Sequence, residues 1–98
     1  MQVVEESVDA GRTTFLLFTR SNTPNRESFV RAMDRLLRRN PAVASFHVDL
    51  DNHPTAAGRY TIYRTPAFVI YHRHKMTNKV EGPFQPSYAA RALASTLT

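Results

Sequence analysis

Apolar side chains in this chain gather in short runs, and the period of each run predicts an element. Residues 13–19, Thr-Thr-Phe-Leu-Leu-Phe-Thr, are β-branched, aromatic and aliphatic without alternation. Such a continuous run is the pattern of a central strand covered on both faces. A polar turn follows at 20–25. Over 24–39 the period changes, with Phe29, Val30, Met33, Leu36 and Leu37 recurring as one apolar helical stripe. Asn22 or Thr23 is placed to cap this helix. Pro24 suits its first turn, where the missing N–H has no partner to lose. Glu27 falls near the positive end of the helix dipole, Arg38 and Arg39 near the negative end. Asn40-Pro41 stops the helix.

The pattern then returns to strand. Residues 43–50 put Phe46, Val48 and Leu50 on one face. Residues 51–54 are a turn, and 54–60 a short helix closed near Gly58. Residues 62–65 lead into Pro66, and 67–72 form a third strand. A turn at 75–78, a fourth strand at 79–81 and the pair Gly82-Pro83 precede a last helix at 86–97. Tyr88, Ala89, Ala92, Leu93 and Leu97 make the expected buried side of that helix. The first two strands are joined by a helix and are expected to be parallel by the right-handed crossover rule. The tight turn between the third and fourth makes that pair antiparallel. The expected architecture is one α/β domain over 1–98, a three-layer sandwich with helices on both faces of a mixed sheet. The sheet has four strands, or five with a further edge strand, and 1–12 is an acidic lead-in.

Composition narrows the function classes. The 98 residues suffice for one hydrophobic core. No run approaches the ~18 consecutive apolar residues of a membrane span, so no membrane is expected. The N-terminal stretch lacks the basic and apolar regions of a secretory signal, which makes a cytoplasmic protein the expectation. With zero cysteines the chain forms no disulfide, no thiolate metal site and no mixed disulfide. No cofactor is expected. The net charge is +5, and most of the 13 basic residues are arginines. That balance favours acidic protein or nucleic-acid partners. Arg31, Arg35, Arg38 and Arg39 gather on the first long helix, but no aromatic residues interleave with them to stack bases. A solvated helix face is the favoured reading there. His72 and His74 are expected on one face of a strand, a surface pair without a third metal ligand. Ser21 and Thr23 are nucleophile types with no His–acid arrangement beside them. Tyr60, Tyr63 and Tyr71 are expected at core edges, and Asp49 and Asp51 at the sheet's end.

The order of elements resembles the thioredoxin-like superfamily, and local motifs agree. Asn22-Thr23-Pro24-Asn25 occupies the place of the Cys-x-Pro-Cys turn. The segment from Val48 to Pro54 is similar to that family's strand ending in an Asp-x-x-Pro turn. The stretch from Tyr60 through Thr65-Pro66 to Tyr71 is similar to the segment carrying its cis-proline. Gly82 matches a glycine before the last helix. The resemblance covers 13–97. It implies the fold, and it implies a groove between the turn and the proline that pairs with an extended peptide. It also marks departures. Asn22 and Asn25 stand for the two cysteines, Leu17 for the proton-carrying acid and Ser21 for the flanking aromatic. A redox-inactive member follows, acting as an adaptor, scaffold or chaperone-like domain. Its expected partner surface is Ser21, Asn22, Thr23, Pro24 and Asn25 together with Arg64, Thr65 and Pro66.

The same turn also resembles the KaiB family of clock proteins, which carry a Gly-Asn-Thr-Pro-Asn run before their first helix. That resemblance implies a regulator binding a ring-shaped ATPase. A basic nucleic-acid binder and a thiol-independent enzyme in the same groove are the remaining alternatives. The sequence leaves the oligomeric state open.

Overall fold

A computed structural model of the chain describes residues 2–97. Its elements are α1 (Gln2–Asp9), β1 (Thr14–Thr19), α2 (Arg26–Arg38), β2 (Ala44–Asp49), α3 (Pro54–Tyr60), β3 (Ala67–His72), β4 (Lys75–Glu81) and α4 (Pro86–Leu97). The strands form one sheet in the order β2-β1-β3-β4. β1 pairs parallel with β2, while β1–β3 and β3–β4 are antiparallel. The mixed four-stranded α/β sheet is therefore the one its connections require.

β1 shows why its apolar run does not alternate. Every residue from Thr14 to Thr19 is buried, and successive side chains go to opposite faces. Leu16 and Phe18 join Val4, Val48, Leu50, Tyr60 and Val69 on one side of the sheet. Phe15 and Leu17 join Met33, Phe68, Ile70 and Leu93 on the other. α1 and α3 thus cover one face, α2 and α4 the opposite face. Phe15 stacks on Phe68, with centroids 5.2 Å apart.

Several elements differ from the sequence expectation. Residues 2–9 of the acidic lead-in form α1. Its Val4 and Ser7 are buried, and Ser7 Oγ lies 2.8 Å from Thr14 Oγ1 in a buried hydroxyl pair. Of its three valines Val4 alone is fully buried, too short a stripe to read over eight residues. α2 starts at Arg26, later than Pro24. Asn25 takes the cap position in a left-handed conformation (φ 53°) without a side-chain cap bond. Neither Asn22 nor Thr23 caps the helix, and the Thr23 hydroxyl is engaged by Arg20 and Thr65 instead. α3 closes near Gly58 as expected, but on Thr61, at φ 56°.

The β3–β4 turn lies at Arg73 and His74 rather than at 75–78. Both residues have positive φ (51° and 71°), the backbone of a tight hairpin turn usually built from Asn and Gly. His72 and His74 consequently do not share a strand face. His72 Nδ1 sits 2.8 Å from Thr13 Oγ1, and the His74 ring lies over Gly11. On α4, Ala89 and Leu93 face the sheet, while Tyr88 and Leu97 are exposed. Tyr63, expected at a core edge, is 80% exposed.

Candidate functional site

At the C-terminal end of β1 the chain turns sharply before α2. The Arg20 N–H donates to Thr23 Oγ1 at 2.9 Å, and the Thr23 N–H donates to Arg20 O at 3.1 Å. This closes the turn around Thr23, which is buried. Ser21, Asn22, Pro24 and Asn25 remain exposed. The Ser21 N–H donates to Asp51 Oδ2 at 2.6 Å. That bond is the main reason the Asp51 carboxyl is held below its ordinary value of 3.8. Asp49 braces the same end of the sheet. Its Oδ2 pairs with Arg26 at 3.5 Å, and its Oδ1 accepts the Asp51 N–H at 2.9 Å.

The second half of the site is the segment before β3. The Thr65–Pro66 peptide bond is cis. Pro66 is buried and Thr65 half-buried, whereas Tyr63 and Arg64 are exposed. Glu81, at the end of β4, accepts the N–H groups of Tyr63 and Arg64, the latter at 3.1 Å. The Tyr63 bond leads the causes that lower the Glu81 carboxyl below its ordinary value of 4.5. The Gly82 N–H donates to Pro66 O at 2.9 Å. Gly82 has φ 86°, in the region that favours glycine.

The two segments meet through their threonines. Thr23 Oγ1 donates to Thr65 Oγ1 at 3.2 Å. The sequence-predicted residues Ser21 to Asn25 and Arg64 to Pro66 therefore form one continuous patch with this hydroxyl bridge at its centre. Thr23 and Pro66 are interior supports of that patch, and the rest form its surface. Sequence reasoning missed Tyr63 as a surface group and Asp51 and Glu81 as braces. The Asp-x-Asp ending β2 and the glutamate before Gly82 were the available signals. Neither carries a local pattern that names its partner, which lies far away along the chain.

Charge chemistry around the patch is modest. His47 Nε2 lies 2.6 Å from Thr19 Oγ1. Burial, and then the neighbouring Arg26, lower its pKa from 6.5, with Asp49 opposing. Arg31, Arg35 and Arg38 are exposed on α2 and Arg39 at its C-cap, and Arg38 pairs with Asp34 at 2.7 Å. Among the described residues no group of three or more His, Cys, Asp and Glu is arranged to hold a metal. No described helix is long and apolar enough to cross a membrane. The interior of β1 carries Leu16 and Leu17, both buried, and no carboxylate. An amide at Asn22 or Asn25 cannot attack a disulfide, so the patch has no thiol chemistry.

No protein-family model matches the chain, and no curated protein sequence does. Solved structures do. Thioredoxin from Trypanosoma brucei brucei superposes with a TM-score of 0.81 at 23% identity, over 96% of this chain and 85% of that one. Mitochondrial thioredoxin 3 from Saccharomyces cerevisiae gives 0.84 at 15%, over 96% and 88%. Thioredoxin O2 from Arabidopsis thaliana gives 0.84 at 14%, over 96% and 83%. At these identities the likeness shows the fold, which is thioredoxin-like, while the chain itself contains no cysteine.

Proposed function

We propose that this cysteine-free thioredoxin-like domain is a protein-interaction module, and that it holds an extended segment of its partner against the patch formed by 21–25 and 63–66. The observation that carries this reading is the Thr23–Thr65 hydroxyl bridge. It joins two segments distant in sequence into one surface while leaving polar and aromatic groups outward. Among the described residues, no turn or strand hydrogen bond engages the N–H or C=O of Thr65. That backbone edge suits pairing with an extended partner segment. Tyr63 supplies a large exposed ring of the type that anchors interfaces. Arg64 supplies a planar fork for a partner carboxylate or carbonyl. Asn22 and Asn25 keep side-chain amides available at the rim.

The test is site-specific photo-crosslinking in cells of the source organism. A benzophenone side chain at Asn22 or Tyr63 is expected to give a discrete crosslinked partner, and the same group at Gly58 on α3 is not. Equal crosslinking from Gly58, or none from Asn22 and Tyr63, would contradict the reading.

The KaiB-like reading is a narrower version of the same idea. It is supported by the exposure of Ser21, Asn22, Pro24 and Asn25 at the start of α2. It requires a ring ATPase as the crosslinked partner and a second fold in solution. A single set of amide resonances, together with a crosslinked partner of any other class, would exclude it.

A further inference from the structure

β4 is an edge of the sheet, and a groove runs between it and α4. About 430 Å³ of space lies there, lined chiefly by Val80, Pro83, Phe84, Tyr88 and Arg91. Its floor is fixed. Phe84 meets Phe29 edge-on at 5.1 Å and Phe68 at 4.9 Å, so the apolar wall is already assembled. Tyr88 stands 47% exposed beside it.

The register of β4 identifies which backbone groups face outward. The Gly82 N–H bonds to Pro66 O, and Phe68 pairs with Val80 two steps along the same ladder. In an antiparallel ladder the bonded pairs alternate. Gly82 and Val80 therefore turn their backbone groups toward β3, and Lys79 and Glu81 present theirs to the outside. Val80 packs on the α4 side of the sheet, at the base of the groove. A strand laid along Lys79–Glu81 would thus drop alternate side chains between β4 and α4.

Charge selects the occupant. No carboxylate lines the groove. Arg91 sits one helical turn beyond Tyr88, is exposed, and pairs with no carboxylate among the described residues. On the edge strand itself Lys79 is already paired with Glu81 at 3.8 Å, which leaves Arg91 to meet an incoming carboxylate.

We propose that the β4 edge and the β4–α4 groove form a second docking site beside the patch at Thr23 and Thr65, adjoining it at Glu81, which accepts the Tyr63 and Arg64 N–H groups. The second site takes an extended acidic protein segment as an added strand. One apolar or aromatic side chain of that segment enters the Phe84–Tyr88 pocket. A carboxylate two residues away, on the same face of the added strand, meets Arg91. Residues two apart on a strand are about 7 Å apart, and Tyr88 and Arg91 are separated by about 4.5 Å of helical rise, a difference the arginine's long side chain spans.

The probe is a capped seven-residue peptide with one Phe and a Glu two residues later in a Ser/Thr background, titrated to 2 mM against the isotope-labelled full chain. The expected result is amide shifts at Lys79, Glu81, Tyr88 and Arg91, with those of Ser21 and Asn22 unmoved. Replacing the peptide's Glu by Lys, or its Phe by Ala, should weaken binding at least tenfold. Arg91→Glu should reverse the preference between the Glu and Lys peptides. Tyr88→Ser, read alongside an unchanged core spectrum, should weaken both. Absence of shifts at 2 mM, equal binding of the Lys peptide, or binding unaffected by both variants would overturn the proposal. So would shifts at β4 that appear with protein concentration alone, which would place a second copy there.

Discussion

At the scale of single residues, the patch is held by a few hydrogen bonds that have no apolar substitute. The Thr23 hydroxyl accepts from Arg20 and donates to Thr65 while almost fully buried. Thr23→Val keeps the shape and removes both bonds. It should cost about 1–3 kcal/mol, since the Arg20 N–H is left without its acceptor; urea unfolding measures this. A cost below the error of the measurement would show that the bridge does not hold the segments. The carboxylates act differently. Asp51 and Glu81 both have folded-state pKa values below their unfolded ones. Each therefore contributes stability above its unfolded value, 3.8 or 4.5, and loses it as pH falls through the lowered folded value. His47 adds in the same direction. Burial lowers its pKa, so protonating the ring opposes folding; the penalty is absent above 6.5 and grows on acidification. Amide shifts of Ser21, Tyr63 and Arg64 should therefore move in acid together with the Asp51 and Glu81 carboxyl carbons, with midpoints below 3.8 and 4.5. Midpoints at or above those values would contradict the bracing roles.

At the scale of elements, legibility followed the strength of the local pattern. β1, β3 and α4 were readable because their runs are long and apolar, and β2 because Phe46, Val48 and Leu50 mark its inner face. The start of α2 was not, since Asn-Thr-Pro-Asn offers two plausible caps. The choice was made instead by Thr65, a residue about forty positions away. The β3–β4 turn was hidden because Arg73 and His74 hold the positive φ angles that Asn and Gly usually announce. α3 likewise closes on Thr61 at φ 56°, a conformation that disfavours a β-branched residue. The least legible element was α1, whose single deeply buried apolar side chain is Val4, 3% exposed. It caps the face formed by Leu16, Phe18 and Tyr60. Val4→Ala removes two methyl groups from that face and should cost about 2 kcal/mol from transfer and cavity effects together. A thermal or urea midpoint unchanged by Val4→Ala would mean that α1 does not dock as described. Of the site, the two segments and their facing one another were legible through the family resemblance, but the Thr23–Thr65 bond that joins them was not, because hydroxyl pairing across the fold leaves no periodic trace.

At the scale of the whole molecule, the thioredoxin-like architecture brings the end of β1 and the segment before β3 together whether or not cysteines occupy the turn. Here the turn carries amides, the strand behind it carries leucines, and the exposed positions carry Asn, Tyr and Arg. Such a surface offers a backbone edge, an exposed aromatic ring and an arginine fork, and with no cysteine in the chain it cannot exchange disulfides. The net charge of +5 sets a competing expectation, because nucleic-acid binding would weaken steeply with salt. Protein docking on Tyr63 and Arg64 would depend on those two side chains far more than on α2. These possibilities separate in one quantitative affinity purification from the source organism, comparing the wild-type chain with Tyr63→Ala/Arg64→Glu and with Arg31→Glu/Arg35→Glu. A protein-interaction module working through the described patch predicts a defined partner that falls at least tenfold with the first variant and persists with the second. Retention of the partner by Tyr63→Ala/Arg64→Glu, or its loss only with Arg31→Glu/Arg35→Glu, would contradict it.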